Sequence, residues 1–456
     1  MSAHSFSGLP LSKPLLENIA ELGFTEMTPV QAESLPSILQ NKDVIAQAKT
    51  GSGKTVAFGI GVLHKLDVKK FRVQSLVLCP TRELADQVAK ELRRLARTIH
   101  NIKILTLCGG QPFGPQLGSL RHEAHIIVGT PGRVLKHLIK GSLSLDNLDM
   151  LVLDEADRML DMGFIDDISE IISYAPDQRQ TLLFSATYPD EIMGLSESIQ
   201  NDAVSIKSNL KEAKNQIKEC FYEVLVEQKL PMLVNILAHH KPENAIIFCN
   251  MKIDTQKVAA YLQSKGMEAL AIHGDLEQYE RNDVLVRFVN KSCSILVATD
   301  VAARGLDIKE LGMVINYDLP HDETTYTHRI GRTGRAGEKG VACTLYSGRD
   351  VHKVDVYEGA GRSFQNGDKL AVDNAFKLSA LNETLVIEGG KKDKMRPGDI
   401  LGALTKEAGL SGSQIGKIDV YDRQSYVAIE KDAIEEARLH FKQGRIKGRK
   451  FPVWVL

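Results

Sequence analysis

The sequence predicts an α/β protein: two tandem parallel-sheet domains followed by a small α+β domain. Three observations carry that prediction. Short β-branched apolar runs alternate with helical patterns, among them "DVIAQA" at 43–48, "SLVLCP" at 75–80, "HIIVGTP" at 125–131, "MLVLDEAD" at 150–157 and "TLLFSAT" at 181–187. Continuous apolar strands separated by helices are strands buried on both faces, the condition of a parallel sheet. The alternation then pauses at "KSNLKEAKNQ", 207–216, which is polar and lacks an apolar period, and restarts with "AIIFCN" at 245–250, "SILVATD" at 294–300 and "MVINYD" at 313–318. The pause reads as a linker between two such domains. After a second weak join near 363–380 the rhythm changes to strand 384–388, helix about 398–408, strands about 416–421 and 425–430, helix 432–443 and strand 451–455. That β-α-β-β-α-β order is the split βαβ arrangement. The expected domains are therefore 1–207, 217–372 and 381–456.

Bulk properties bound the function. A chain of 456 residues suits two to four domains, each able to bury its own core. The formal charge is -1, so a polyanionic partner must be met by a local patch. Cys79, Cys108, Cys220, Cys249, Cys293 and Cys343 form no Cys-x-x-Cys pair, which argues against a zinc site or a disulfide framework and fits a reducing cytosol. Lys13 and Glu17 interrupt the first apolar stretches, against a signal peptide, and no apolar run approaches membrane-spanning length. The expectation is a cytoplasmic protein, away from membranes and monomeric.

Nearly every strand of the first two domains ends in polar, Gly or Pro residues. Open parallel sheets bind ligands beyond the carboxyl ends of their strands. "AKTGSGKT", 48–55, follows a strand and precedes a helical pattern, with Ala48 where the generic phosphate loop has glycine. Gly51 and Gly53 let backbone N–H groups approach phosphate, Lys54 reaches the β/γ-phosphates and Thr55 helps hold Mg²⁺. Lys49, Thr50 and Ser52 complete the candidate ATP loop. In "LVLDEAD", 151–157, Asp154 is the expected Mg²⁺ holder and Glu155 the group that orients the attacking water. "HRIGRTGR", 328–335, places three arginines at helical spacing, with Arg332 and Arg335 as candidates to neutralise charge on the transferred phosphoryl group. The plainer readings are a Gly-rich turn, acids favoured at a helix start and an exposed basic helix face.

Together these strings resemble the DEAD-box RNA helicases over roughly residues 6–345. The resemblance includes "GFTEMTPVQ" at 23–31, "PTRELA" at 80–85, "GG" at 109–110, "TPGR" at 130–133, "SAT" at 185–187 and "ATDVAARGLDI" at 298–308, with Met27 where the family usually has proline. It implies RecA-like domains, ATP and Mg²⁺ as cofactors, and RNA as partner. It further implies that Phe24 stacks on adenine and Gln31 bonds its edge. Arg82, Gly110, Thr130 and Arg133 would hold RNA phosphates on the first domain, and Gln278, Arg281 and Thr299 on the second. Gly305 and Asp307 would meet the nucleotide, while Ser185 and Thr187 couple ATP to RNA. Phosphate contacts imply little base preference by this core. For single polar residues, capping and turn roles are the alternative.

The tail order resembles an RNA-recognition motif, but its aromatic platform is poor: Val386 stands at the usual ring position and Tyr426 is the one clear ring. Cations are plentiful instead, with Lys391, Lys392, Lys394 and Arg396 after the first strand and Arg445, Lys447, Arg449 and Lys450 before the last. A solvated basic loop is the alternative. The pairing of this core with "GGKKDKMRPGDILGAL" and "IGKI" resembles a bacterial branch of the family whose tail recognises a hairpin of large-subunit ribosomal RNA during ribosome assembly. That implies pre-ribosomal particles as partners. A general RNA chaperone and an ATP-dependent RNA clamp that does not unwind share the same motifs.

Overall fold

The computed structural model describes residues 4–48, 51–207, 217–303, 311–334, 340–357, 362–367, 370 and 376–456. The chain forms two compact units, one on each side of residues 208–216.

The first unit is built on seven strands: β1 Val44–Gln47, β2 Ser75–Leu78, β3 Ile104–Leu107, β4 Ile126–Gly129, β5 Met150–Asp154, β6 Gln180–Ser185 and β7 Val204–Lys207. All pair in parallel, in the order β3-β4-β2-β5-β6-β1-β7. Successive residues along a strand point to opposite faces. Val77, Val128 and Val152 accordingly join one apolar core, and Leu76, Leu78, Ile127, Leu151 and Leu153 join another on the far side. Full burial of such side chains stabilises by roughly 1.5–3 kcal/mol each, before entropy is counted.

The second unit repeats the plan. Its strands are β8 Ile217–Glu223, β9 Ala245–Phe248, β10 Ala269–Ile272, β11 Ile295–Ala298, β12 Met313–Asn316, β13 Gly340–Tyr346 and β14 Arg362–Asn366. Their order, β10-β11-β9-β12-β13-β8-β14, is the first order shifted by seven, and again all pairs are parallel. The join expected near 363–380 opens on β14, which pairs along β8. Its polar "RSFQN" and partly exposed side chains are those of an edge strand, which an apolar-run criterion passes over.

The same unit carries the small antiparallel sheet: β15 Asn382–Ile387, β16 Ile415–Val420, β17 Ser425–Glu430 and β18 Val453–Val455, in the order β16-β17-β15-β18. Leu385, Ile387, Val427 and Ile429 face Ile400, Leu404, Ile434 and Phe441 of its own helices. The helix expected at 398–408 is α-helical over Pro397–Gly402 and widens over Ala403–Glu407, where Ala403 and Leu404 stay buried.

Period-two alternation sends Val386 and Tyr426 to the opposite face, where they pack on Val286 of the helix Gln278–Val289. Tyr426 donates its hydroxyl to Asp283 Oδ1 at 3.2 Å, and Asn290 and Ser292 meet Thr384 Oγ1 at 3.2 and 2.7 Å. Burial is the main cause that raises the Asp283 carboxyl, with the Tyr426 hydroxyl opposing it. Part of the face on which an RNA-recognition motif would stack bases is thus covered by the second parallel-sheet domain. Among the described residues no helix is long and apolar enough to cross a membrane.

Candidate nucleotide and RNA sites

The working residues of the first unit lie where its strands end. β1 leads through buried Ala48, whose N–H donates to Ser185 O at 2.8 Å, toward the glycine loop. Gly51 and Gly53 take φ of 85° and 91°, the left-handed region open to glycine at low cost, and Gly53 caps the helix Lys54–Lys65. A Cβ on Gly53 would stand 2.5 Å from Gln31 Nε2. Ser52 and Thr55 are half-buried beside it. Lys49 and Thr50 lie outside the described residues, as do Gly305, Asp307 and Arg335.

Gln31 is buried and braces this loop: it accepts from the Thr28 N–H at 2.9 Å and donates to Gly53 O at 3.0 Å. Both ends of its amide are engaged within the protein. Phe24 is half-buried, with the Arg94 guanidinium carbon 5.4 Å from its ring centroid. Met27 is absorbed into the apolar core.

Lys54 Nζ stands 3.2 Å from Asp154 Oδ1 and 3.9 Å from Glu155 Oε1, with all three side chains buried. Burial pulls the Lys54 ammonium down, but the carboxylates of Asp154, Glu155 and Asp157 outweigh it and raise it overall. Burial, aided by Glu155, raises the Asp154 carboxyl against the pull of Lys54. Neither Asp154 oxygen nor Lys54 Nζ has a well-directed hydrogen bond among the described residues. Buried charges without such bonds are costly. The donor set therefore fits a phosphate chain at the lysine and a hard, oxygen-seeking cation such as Mg²⁺ near Asp154 and Thr55.

Glu155 takes φ 55°, uncommon for a residue with a side chain, and accepts from Arg158 Nη1 at 2.7 Å. Asp157 has a role that sequence reasoning left unassigned. Its Oδ2 accepts from the N–H groups of Ala186 and Thr187 and from Thr187 Oγ1, at 3.1, 2.9 and 3.0 Å, while Ser185 Oγ accepts from the Asp157 N–H at 3.2 Å. The acidic segment after β5 and the Ser185–Thr187 segment after β6 are one hydrogen-bonded piece. The adjacency of two strand ends carried that signal, and a linear string does not display it.

Beyond β2, β3 and β4 a second cluster forms. Gly110 has φ 65°, and a Cβ there would fall 1.6 Å from Arg82 Nη2, so only glycine admits the guanidinium. Arg82 Nη1 is buried without a partner among the described residues. Thr130 Oγ1 accepts from the Gly109 N–H at 3.3 Å, and Arg133 donates to Gln111 O and Gln116 Oε1 at 2.9 Å. Arg82, Gly110, Thr130 and Arg133 are brought together, with one guanidinium nitrogen left to take an anion.

In the second unit, Gln278 and Arg281 share the first turn of Gln278–Val289, and Arg281 Nη2 reaches Ala302 O at 3.4 Å, three residues past Thr299 at the end of β11. The arginines of 328–335 do not share one helix. The helix Glu323–Ile330 ends before Gly331, leaving Arg332 in a buried turn, with Gly334 at φ 67° beyond. Arg329, given no role by the sequence reading, is fully buried. It donates to Asp300 Oδ1 and Oδ2, Asn250 Oδ1 and Asp318 O at 2.6–2.9 Å, and to Asn316 Oδ1 at 3.3 Å.

In the third domain, Lys391, Lys392, Lys394, Arg396, Arg445, Lys447, Arg449 and Lys450 are all exposed. The two clusters meet: Lys447 Nζ reaches Lys394 O at 3.0 Å and Asp399 Oδ2 at 2.8 Å. Lys447 is therefore partly neutralised, and together with the Arg396 N–H it holds Asp399 below the usual carboxylate range. The paired glycines before this patch serve close approach. A Cβ on Gly389 would meet the Phe451 ring at 2.6 Å, and one on Gly390 would meet Tyr421 O at 2.4 Å.

Comparison with known proteins agrees with this architecture. Residues 28–195 match the DEAD/DEAH box helicase family model, 228–337 the helicase conserved C-terminal domain and 384–455 the DbpA RNA binding domain. The chain is 51% identical to the ATP-dependent RNA helicase DbpA of Escherichia coli over 454 residues, 99% of each chain. It is 46% identical to the DEAD-box ATP-dependent RNA helicase CshA of Geobacillus kaustophilus over 351 residues, 77% of this chain and 75% of that one. Among solved structures, S. cerevisiae Dbp5 bound to RNA and ADP BeF3 matches with TM-score 0.71 and 30% identity, over 80% of this chain and 97% or 96% of Dbp5 in two crystals. A phosphate-loop rim repeated in topology by a second sheet, and followed by a domain of the DbpA kind, places this chain in the DEAD/DEAH box helicase family, as an RNA helicase and RNA-stimulated ATPase.

Proposed function

We propose that the third domain directs this helicase to structured ribosomal RNA, a hairpin of the large subunit, and that ATP hydrolysis separates strands locally beside it during ribosome assembly in the cytoplasm. One observation carries the reading: the sheet face suited to stacking bases is partly covered by Val286 and Asp283, while the cations after β15 and before β18 are exposed together. A domain so arranged meets RNA through its phosphate backbone and its shape.

In this reading Lys54 binds the β/γ-phosphates, with Ala48, Lys49, Thr50, Gly51, Ser52 and Gly53 lining the loop. Thr55 and Asp154 hold Mg²⁺, which supplies charge neutralisation on the phosphate oxygens. Glu155, held by Arg158, orients the attacking water and receives its proton. Asp157 ties this segment to Ser185 and Thr187, so a shift at the phosphates is felt at the RNA rim. Phe24 and Gln31 bound the adenine side. Arg82, Gly110, Thr130 and Arg133 hold RNA backbone on the first unit, and Gln278, Arg281 and Thr299 do so on the second.

The test uses the full chain with Lys391, Lys392 and Lys394 changed to alanine. The concentration of ribosomal RNA giving half-maximal ATPase should rise, and the maximal rate should hold. The salt slope of binding should flatten by roughly 2 to 3 units, at about 0.7 to 0.9 per phosphate contact. Stimulation by poly-A should not change. An equal loss with poly-A would point to a general RNA chaperone, and no loss with either would leave these lysines as a solvated loop. A duplex flanked by the hairpin separates unwinding from clamping, since a clamp stays bound without releasing a strand.

A further inference from the structure

The second parallel sheet holds three metal-ligating side chains that neither the nucleotide nor the RNA reading uses. β8 and β13 run in parallel register with Cys220 opposite Cys343. Residues paired across neighbouring strands point to the same face, and both thiols enter the core shared with the helix Lys229–His240. The last residue of that helix, His240, sets Nε2 3.6 Å from Cys343 Sγ and 3.4 Å from the Tyr222 hydroxyl. The sulfurs and an imidazole nitrogen all lie within 4.8 Å of one another. Both cysteines are buried, whereas His240 is half-buried and offers a route in from solvent.

We propose that Cys220, Cys343 and His240 form a binding site for Zn²⁺. Zinc bonds of about 2.3 Å to sulfur and about 2.0–2.1 Å to nitrogen, at tetrahedral angles, call for S···N near 3.5 Å and S···S near 3.8 Å. The 3.6 Å between Cys343 Sγ and His240 Nε2 already meets the first, and the remaining separations close with side-chain movement alone.

Charge agrees as well. Two thiolates cancel the dication, so the loaded site adds no net charge to an apolar core. Without the ion, the Tyr222 hydroxyl and the Cys343 thiol both approach one imidazole nitrogen, which has a single lone pair. Binding forms two Zn–S bonds and one Zn–N bond and releases the two thiol protons to solvent. A water fills the fourth position, within reach of the Tyr222 hydroxyl. The ion fastens β8 to β13 and to the end of the helix that packs on them, a structural rather than catalytic role.

The experiment takes the full chain, reduced and metal-free, and titrates it with Co²⁺ as a spectroscopic stand-in and then with Zn²⁺. One equivalent of Co²⁺ should give the thiolate charge-transfer and intense d–d bands of a tetrahedral site. Zn²⁺ should displace it, and millimolar Mg²⁺ should not. The Lys54→Ala variant should bind equally well, which separates this site from the phosphate loop. Cys220→Ser with Cys343→Ser should abolish the bands, while Cys79→Ser should keep them. Zn²⁺ should raise the Tm of the parent chain and leave that of the double variant unchanged. If the double variant does not fold, His240→Gln serves in its place, with Co²⁺ affinity lowered at least ~10-fold. Unaltered Co²⁺ spectra in these variants, a weak octahedral spectrum in the parent chain, or a Cys220–Cys343 disulfide with no metal uptake would each overturn the proposal.

Discussion

The two parallel sheets share one strand order, and each places a lysine at the start of the helix that follows its first strand: Lys54 after β1 and Lys229 after β8. Each lysine faces an acid at the end of its sheet's fifth strand. Lys54 Nζ stands 3.2 Å from Asp154 and Lys229 Nζ 3.1 Å from Asp318. The second pair is complete. Lys229 donates to Tyr317 O and to Asp318 Oδ1, and Asp318 Oδ2 accepts from the Asn250 N–H at 3.1 Å. The first pair has no well-directed hydrogen bond among the described residues. The approach differs too: glycines at φ 85° and 91° lead to Lys54, whereas a short turn, Val226–Gln228, leads to Lys229. One topology makes the same ion pair twice. Only the copy whose lone pairs and protons are left over has capacity for a ligand, because a satisfied pair would have to break protein contacts to bind one.

The sharpest way to test that contrast is Lys54→Ala, which should cut RNA-stimulated ATP turnover at least ~10³-fold, the upper range for losing one charge-stabilising group. Near-normal steady-state hydrolysis would remove Lys54 from the site. Arg329→Ala should act on the other rim by destabilising the second unit by about 3–5 kcal/mol, since buried Asp300 loses its partner. Chemical denaturation measures this, and Arg329→Lys should recover only part, because an ammonium cannot reproduce the planar fork. Lys229→Ala should cost about 1–3 kcal/mol of stability and change turnover less than ~10-fold when assayed well below Tm. A turnover loss matching that of Lys54→Ala would erase the distinction between the two pairs. Smallest is Tyr426→Phe, which loses the Asp283 hydrogen bond and should cost about 0.5–1.5 kcal/mol. Faster hydrogen exchange along β15 and β17 would register it, and unchanged exchange would mean that the covered face contributes no stability.

Glycine loop, acidic strand end and basic tail were legible because each is a local string whose chemistry depends on neighbours in sequence. Asp157 and Arg329 were not. Asp157 acts on Thr187, thirty residues away, and Arg329 on Asn250, seventy-nine away. The breakpoint at Gly331 was visible as a letter, but its effect on Arg332 depended on where the helix stopped. Gly389 and Gly390 could be seen to end a strand, while the reason that no side chain fits there lies with Phe451 and Tyr421.

By itself the sequence determined the class of fold, through apolar runs that only buried parallel strands accommodate, and the phosphate-binding chemistry, through a lysine fixed to a glycine turn. The tertiary structure alone decided which charges were left unsatisfied, since that depends on which strand ends lie side by side. It alone covered part of the third domain's sheet with Val286, and so turned a weak aromatic platform into a packing surface. It alone set Cys220 beside Cys343, because register between β8 and β13 cancels a separation of more than a hundred residues that no spacing rule spans.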